Sequence, residues 1–167
     1  MRFAGARFLA CPVLLCAGLI HAQALPHFEG ETLDGKKVSL PDTGAGQAQL
    51  LIIGFTHASQ TQTKAWSKRV ERQFPTWSIS VLEDVPRLMR GMVPHAIKGS
   101  VPKEEYDRFL LVYHNEKELK QAAGFEQSDD AYLVVVDGSG AIVWRYHGPV
   151  SDAAIDQLAA NFKPGGR

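Results

Sequence analysis

The stretch LLIIGFTHASQTQTK, residues 50–64, decides the fold of this chain. Its first six residues are apolar side chains and one glycine, which is typical of a central strand that is buried on both faces. Ser59 is followed three residues later by Gln62, the spacing of a capping box, which predicts that a helix begins there. The apolar side of this helix is predicted to carry Trp66, Val70 and Phe74, and Pro75 to end it. A buried strand that leads into an amphipathic helix is the basic unit of an α/β domain.

Patterns on either side of this unit predict the neighbouring elements. Before it, two short alternating runs flank Asp34-Gly35, a dipeptide that is typical of the turn of a β-hairpin. After it, residues 77–82 alternate between apolar and polar side chains and predict a second strand. A helix is predicted to follow Pro86, and its apolar face would consist of Leu88, Met89, Met92 and Val93.

The C-terminal half predicts a strand at 109–113 and a short helix from Glu116 to Ala123 that ends at Gly124. A second hairpin turns at residues 137–140, and Ser151 caps a final helix. In this order the first long helix returns the chain to a parallel strand, whereas the last two strands run antiparallel. The sequence therefore predicts an α/β fold with a central mixed β-sheet flanked by helices and an N-terminal β-hairpin.

The composition excludes several classes of function. The 167 residues carry 18 basic and 18 acidic side chains, and 45% of the residues are hydrophobic. This balance is that of an ordinary globular domain and differs from that of a disordered tail or a basic nucleic-acid binder. Neither G-x-G-x-x-G nor G-x-x-x-x-G-K-[ST] occurs in the sequence, so no nucleotide site is indicated. We expect no cofactor.

Residues 1–24 have the pattern of a signal peptide. Arg2 and Arg7 give a basic start, residues 8–20 form an apolar run, and Ala22-Gln23-Ala24 is a small-x-small cleavage site. The apolar run of about 13 residues is shorter than the roughly 20 residues of a membrane-spanning helix, so cleavage is favoured over a permanent anchor. We expect cleavage between Ala24 and Leu25, a single domain over residues 25–167, and a periplasmic or secreted location.

The two cysteines, Cys11 and Cys16, both lie in this leader. Cleavage would therefore leave a chain without any thiol. Such a chain can form no disulfide, no thiol nucleophile and no cysteine metal site.

Three segments resemble the thioredoxin and peroxiredoxin superfamily: DGKKVSLPD at 34–42, LLIIGFTHASQTQTKAW at 50–66 and YLVVVDGSGAIVWRYHG at 132–148. In its oxidoreductases, the first cysteine of C-x-x-C follows the last phenylalanine of the central strand by five residues, and a lysine follows the second. Counting from Phe55, the resemblance implies that Gln60 and Thr63 replace the dithiol and that Lys64 matches the lysine. Neither an amide nor a hydroxyl can replace a thiolate, which excludes thiol exchange and cysteine peroxidase chemistry in the processed chain. The family proline before the strand that faces this site is also missing, because the chain has Asp129-Asp130-Ala131 there.

Within the superfamily, the chain is most similar to the thioredoxin-like assembly factors of the mitochondrial ATP synthase and their bacterial relatives. The resemblance rests on LLIIGFTHASQ at 50–60, VLEDVPRLMRGMVPHAIKGSVP at 81–102 and the segment 132–148. It implies a protein-binding module for assembly or chaperoning, without catalysis. The export signal implies that the partner, an envelope or membrane protein, is met outside the cytoplasm, and we expect the chain to be a monomer.

The candidate binding surface combines the turn before the first long helix with the methionine-containing segment. Thioethers beside basic residues suit an adaptable partner surface, although packing of one helix face into the core would also explain the methionines. The candidate residues are His57, Ser59, Gln60, Thr63, Lys64, Met89, Arg90 and Met92.

An enzyme with a non-thiol site is the alternative hypothesis. His57, Asp84 and Asp130 would have to meet at one edge of the sheet, where acid–base or metal chemistry could be built. His57 could also activate Ser59, provided that an acid orients the histidine. No pair of histidines has the i,i+4 spacing of a helical metal motif, so we predict no metal site.

Overall fold

The computed structural model describes residues 23–70 and 72–163. The strands are β1 (Phe28–Thr32), β2 (Lys37–Leu40), β3 (Gln49–Gly54), β4 (Thr76–Val81), β5 (Phe109–Val112), β6 (Tyr132–Val136) and β7 (Ile142–His147). The helices are α1 (Gln60–Val70), α2 (Val93–Lys98), α3 (Glu116–Ala123) and α4 (Asp152–Asn161). The strands form a seven-stranded sheet in the order β2-β1-β5-β4-β3-β6-β7.

The sheet is mixed, as the sequence predicts. β3 runs parallel to β4, and β4 runs parallel to β5. β6 lies antiparallel to β3 and to β7. The N-terminal hairpin pairs Phe28 with Leu40 and joins the sheet where β1 runs antiparallel to β5. The predicted hairpins, the buried central strand and the parallel return are thus confirmed.

Helices cover both faces of the sheet, which gives two hydrophobic clusters. On one face, Trp66 and Val70 of α1 and Ile155 and Leu158 of α4 pack over the strands. On the other face, Leu119 of α3 packs with side chains of the hairpin and the strands. All six residues of β3 are buried, because this strand lies between the two clusters.

The predicted capping box at the start of α1 is wrong. Ser59 does precede the helix, but its hydroxyl donates to the carbonyl oxygen of Thr56 at 2.9 Å. Gln62 turns away from the helix and bonds Asp130 and Ala131 instead. The helix also ends at Val70, so the half-buried Phe74 packs on the core from beyond the helix.

The single helix predicted after Pro86 is also wrong. A 3-10 turn at Arg87–Met89 is followed by the short helix α2, which has Pro94 in its first turn. Proline fits the start of a helix and breaks its interior, so a new helix begins here and the earlier one does not continue. The exposed fractions of Leu88, Met89 and Met92 are 96%, 54% and 70%, which excludes their packing into the core.

Among the described residues, no helix has the length and apolar character needed to cross a membrane. Residues 1–22, which make up nearly all of the predicted signal peptide, lie outside the described residues.

Candidate functional site: a cleft beside helix α1

A cleft of about 380 Å³ lies between α1, the polar face of β4 and the segment 97–109. Its floor includes Ser78 and Ser80 of β4. Its far wall is apolar and includes Ile97, Val101 and Pro102. A polar floor beside an apolar wall can bind a ligand or a side chain that has both characters.

The alternation of β4 produces the polar floor. Trp77, Ile79 and Val81 are buried, whereas the residues between them point to the opposite face and are half-buried. Ser78 Oγ lies 2.9 Å from Ser67 Oγ of α1, so a hydroxyl pair joins the floor to the helix. An apolar residue at position 78 would extend the core into this space, and the serine keeps the space open.

A glycine lets α1 begin close to the sheet. A Cβ atom at Gly54 would lie 3.0 Å from Ser59 Oγ and 3.2 Å from Thr63 Cγ2, closer than most real Cβ contacts. Ser59 is fully buried in this contact. The end of β3 therefore fixes the first turn of α1 against one end of the cleft.

The positions predicted to replace the dithiol lie in this first turn. Gln60, Thr63 and Lys64 all line the cleft, together with Ser59. Thr63 Oγ1 donates to the carbonyl oxygen of Gln60 at 3.0 Å, and the Ser59 hydroxyl donates to Thr56. Both hydroxyls therefore stabilise the turn, and within residues 23–70 and 72–163 neither is hydrogen-bonded to a base that could activate it.

The remaining candidate residues do not line the cleft. His57 is exposed. Arg90 Nε donates to the carbonyl oxygen of Val85 at 3.0 Å, and its guanidinium lies 4.9 Å from the centre of the Tyr113 ring. We call the exposed side chains of Leu88, Met89 and Met92 the methionine patch. The structure thus divides the predicted surface into the cleft and the methionine patch.

Asp84 and Asp130, two residues of the enzyme hypothesis, have separate surroundings. Asp84 lines a separate recess with Glu116 and Lys120. Asp130 bonds His147 and Gln62. No hydrogen bond or ion pair within residues 23–70 and 72–163 joins His57, Asp84 and Asp130. The part of the chain that the structure describes also contains no group of three or more His, Cys, Asp or Glu side chains that could hold a metal.

Sequence reasoning missed a polar network at the entry to β6. His147 Nδ1 donates to Asp130 Oδ2 at 2.7 Å, and Gln62 Nε2 donates to Asp130 Oδ1 at 3.1 Å. Gln62 Oε1 accepts from the backbone N–H of Ala131 at 3.2 Å. The hydrogen bond from His147, followed by that from Gln62, lowers the pKa of Asp130 despite its burial. The network thus joins α1 and β7 to the entry of β6, at the position where the resemblance predicts a missing proline.

The only sequence signal for this network was the unusual Asp129-Asp130-Ala131 at the proline position. His147 and Gln62, the partners of Asp130, lie 17 and 68 residues away from it in the sequence. Neither spacing nor composition identifies such a contact.

The sheet order, the helices on both faces and the cleft at the start of α1 define a thioredoxin-like protein. The pneumococcal exposed lipoprotein thioredoxin Etrx1 of Streptococcus pneumoniae strain TIGR4 is similar, with a TM-score of 0.55, 18% identity and coverage of 81% of this chain and 98% of that chain. BsSco, described as a member of the Sco family of cytochrome c oxidase assembly proteins, has a TM-score of 0.54, 15% identity and coverages of 83% and 92%. A peroxiredoxin-like protein from Aquifex aeolicus has a TM-score of 0.54, 14% identity and coverages of 83% and 85%.

The sequence profile of the ATP10 protein family matches residues 19–163, and the chain belongs to this family. Among curated proteins, none matches the sequence. The predicted thioredoxin-like fold and the predicted resemblance to the assembly-factor branch are confirmed.

Proposed function

We propose that this chain is an exported, redox-inactive thioredoxin-like protein that binds another protein during the assembly of a membrane or envelope complex. The ATP10 family consists of assembly factors, and the similar BsSco belongs to a family of assembly proteins. Membership of the family supports a protein partner. The export and the lack of redox activity are our own inferences from the leader and from the positions of the cysteines.

One observation carries the proposal: Gln60 and Thr63, which the resemblance places at the dithiol position, both line the cleft. Neither of these two side chains can do thiol chemistry. An amide and a hydroxyl bind by hydrogen bonds and form no mixed disulfide. A partner would therefore be held without a covalent bond, and reducing agents would not release it.

The methionine patch supplies a second contact. Leu88 is almost fully exposed, and Met89 and Met92 are more than half exposed. Large apolar side chains exposed together are typical of interaction surfaces, and flexible thioethers adapt to different partners. Since Arg90 is held by Val85 and Tyr113, the turn beneath the patch has a defined conformation.

The test is partner capture from the envelope of an exporting cell under reducing conditions, with the captured protein identified by mass spectrometry. Gln60→Glu places a charge in the cleft, and Met89→Asp places one in the methionine patch. We expect each to reduce recovery of the partner at least about tenfold. The matched controls are Gln121→Glu and Ala153→Asp, which make the same kinds of change at exposed positions of α3 and α4.

Circular dichroism and thermal unfolding check that each variant is folded. Loss of capture on reduction would contradict a thiol-independent complex. Unchanged capture by both Gln60→Glu and Met89→Asp would contradict the assignment of the binding surface.

A further inference from the structure

Gln23 and Ala24, just before Leu25, lie along the edge of the sheet, where Ala24 makes an isolated β-bridge. β7 is the last strand in the sheet order, and Ala24 bridges to Ala141 in antiparallel orientation beside it. Ile142 N–H donates to the carbonyl oxygen of Gln23 at 2.8 Å, and Leu25 N–H donates to that of Gly140 at 2.9 Å. These contacts cover the beginning of β7.

A side-chain contact strengthens this pairing. The guanidinium of Arg145 donates to Oε1 of Gln23. The Nε atom of the same arginine donates to the carbonyl oxygen of Ala122 at 2.6 Å, which ties the side chain to α3. Arg145 is therefore oriented by the domain itself and does not depend on Gln23 for its position.

The predicted cleavage site lies directly after the bridged residue Ala24. Cleavage between Ala24 and Leu25 removes both residues that face the start of β7. Leu25 is 3% exposed and belongs to a hydrophobic cluster, so the new amino terminus stays attached to the domain. Cleavage thus uncovers the edge without removing a buried side chain.

We propose that cleavage after Ala24 converts the start of β7 into a docking site for an extended, antiparallel segment of the partner protein. This inference rests on the proposed export and adds a second docking mode to the proposed protein binding. Gln23 and Ala24 occupy the site in the precursor and show what fits it.

The chemistry of the uncovered edge defines the segment that it accepts. The N–H of Ile142 loses its acceptor, and an unpaired edge amide is a template for another strand. Arg145 selects a glutamine, asparagine or acidic side chain at the position of Gln23. Val143, which is 44% exposed on the same strand, offers an apolar contact beside it.

Amide hydrogen exchange tests whether cleavage opens the edge. The processed chain is compared with an Ala22→Leu precursor, which removes the small residue that cleavage requires but keeps Gln23 and Ala24. Both proteins are purified from exporting cells in the same detergent. We expect Ile142 to exchange at least about tenfold faster in the processed chain, and Leu133 in the paired strand β6 to be unchanged. Equal protection of Ile142, or an amino terminus other than Leu25 in the mature protein, would overturn the proposal.

A peptide tests whether the opened edge binds a strand. The probe is a synthetic peptide with the sequence of residues 18–24, GLIHAQA. We expect it to slow the exchange of Ile142 in the processed chain in a saturable way, and a peptide with leucine in place of the glutamine to bind at least about fivefold more weakly. No protection by either peptide would overturn the docking site, and equal binding of the two would overturn the selection by Arg145.

The outcome is separate from that of the proposed cleft. Gln60 and Met89 are not part of β7 or its edge. The variants Gln60→Glu and Met89→Asp should therefore bind the peptide like the unmodified chain. Peptide binding without an effect of these variants on partner capture would leave the edge as the docking site and remove the cleft. If the variants reduce partner capture and the peptide does not bind, the cleft would remain the docking site and the edge would be excluded.

Discussion

Gln62 shows how one side chain can change the surface beside a strand. Its amide bonds both Asp130 and the backbone N–H of Ala131, at the entry to β6. The backbone donor at the entry to β6 is therefore satisfied within the domain. A partner cannot use this donor unless Gln62 moves.

Asp130 should contribute to stability in a pH-dependent way. Its folded pKa is lowered by His147 and Gln62, so its contribution is present above the unfolded pKa of about 4 and is lost as the pH falls through the folded value. Since the carboxylate is only 17% exposed, Asp130→Asn should lower the free energy of unfolding at pH 5 by about 1–2 kcal/mol. The difference should shrink below about pH 4.

Urea unfolding at several pH values measures this effect. Asp129→Asn is the matched control, because the neighbouring carboxylate is exposed and accepts a hydrogen bond from the Ser128 hydroxyl. A constant difference between the parent chain and Asp130→Asn from pH 6 to pH 3 would contradict the role assigned to the ionised carboxylate.

For single residues, the sequence predicted which side chains line the cleft better than it predicted their hydrogen-bond partners. Counting from Phe55 places Gln60, Thr63 and Lys64 at the cleft, because the distance from a strand end to the first helical turn is short and fixed. The spacing from Ser59 to Gln62 wrongly predicted a capping box, because a glutamine can either cap the helix or bond Asp130 and Ala131. Asp130 and His147 could not be paired, because their contact depends on how two strands are arranged.

At the scale of elements, the contact between β1 and β5 depends on Gly30. A Cβ atom at this position would lie 2.6 Å from Leu110 Cγ and 2.8 Å from the carbonyl oxygen of Leu111. The hairpin joins the rest of the sheet through β5, so a larger residue at Gly30 would push the hairpin away.

We therefore expect Gly30→Ala to lower the free energy of unfolding by about 1–3 kcal/mol. Gly91→Ala is the matched control, because nothing lies within 4 Å of a Cβ atom built at Gly91. Its effect should remain within about 0.5 kcal/mol. Denaturant unfolding of both variants checks the prediction, and equal stability of the two would show that the hairpin can move without cost.

The elements that the sequence predicted best have strong local signals. The helix Glu116–Ala123 has the predicted bounds, because Gly124 adopts the left-handed conformation that ends it. The alternation of β4 predicted both its strand and its polar face. The prediction of one helix after Pro86 failed although the apolar residues have helical spacing. Pro94 and Gly91 interrupt the helix, and the apolar side chains of this segment do not pack into the core.

At the scale of the whole molecule, the processed domain should contain no thiol. The chain has two cysteines, Cys11 and Cys16, and both precede the predicted cleavage site. We expect a maleimide to label the precursor twice under denaturing, reducing conditions and not to label the processed chain. Intact-mass measurement counts the labels and also gives the amino terminus. A mature chain that accepts a label would show that the leader is retained.

Only part of the strand order could be predicted from the sequence. The parallel return after α1 and the antiparallel last pair follow from connection lengths. The position of the N-terminal hairpin beside β5 does not, because no local pattern specifies which edge a hairpin joins. The cleft could not be predicted either. Its walls come from α1 and from the segment 97–109, which are distant in the sequence and meet only in the folded chain.

The hydroxyl floor of the cleft gives binding there a distinctive heat capacity. Removing apolar surface from water lowers the heat capacity, whereas removing polar surface raises it. A partner seated on Ser78 and Ser80 buries both kinds of surface, so the two contributions partly cancel. A partner seated on the methionine patch buries mainly apolar surface and produces the larger negative change per unit area. Titration calorimetry at several temperatures can therefore distinguish the two modes without altering a residue.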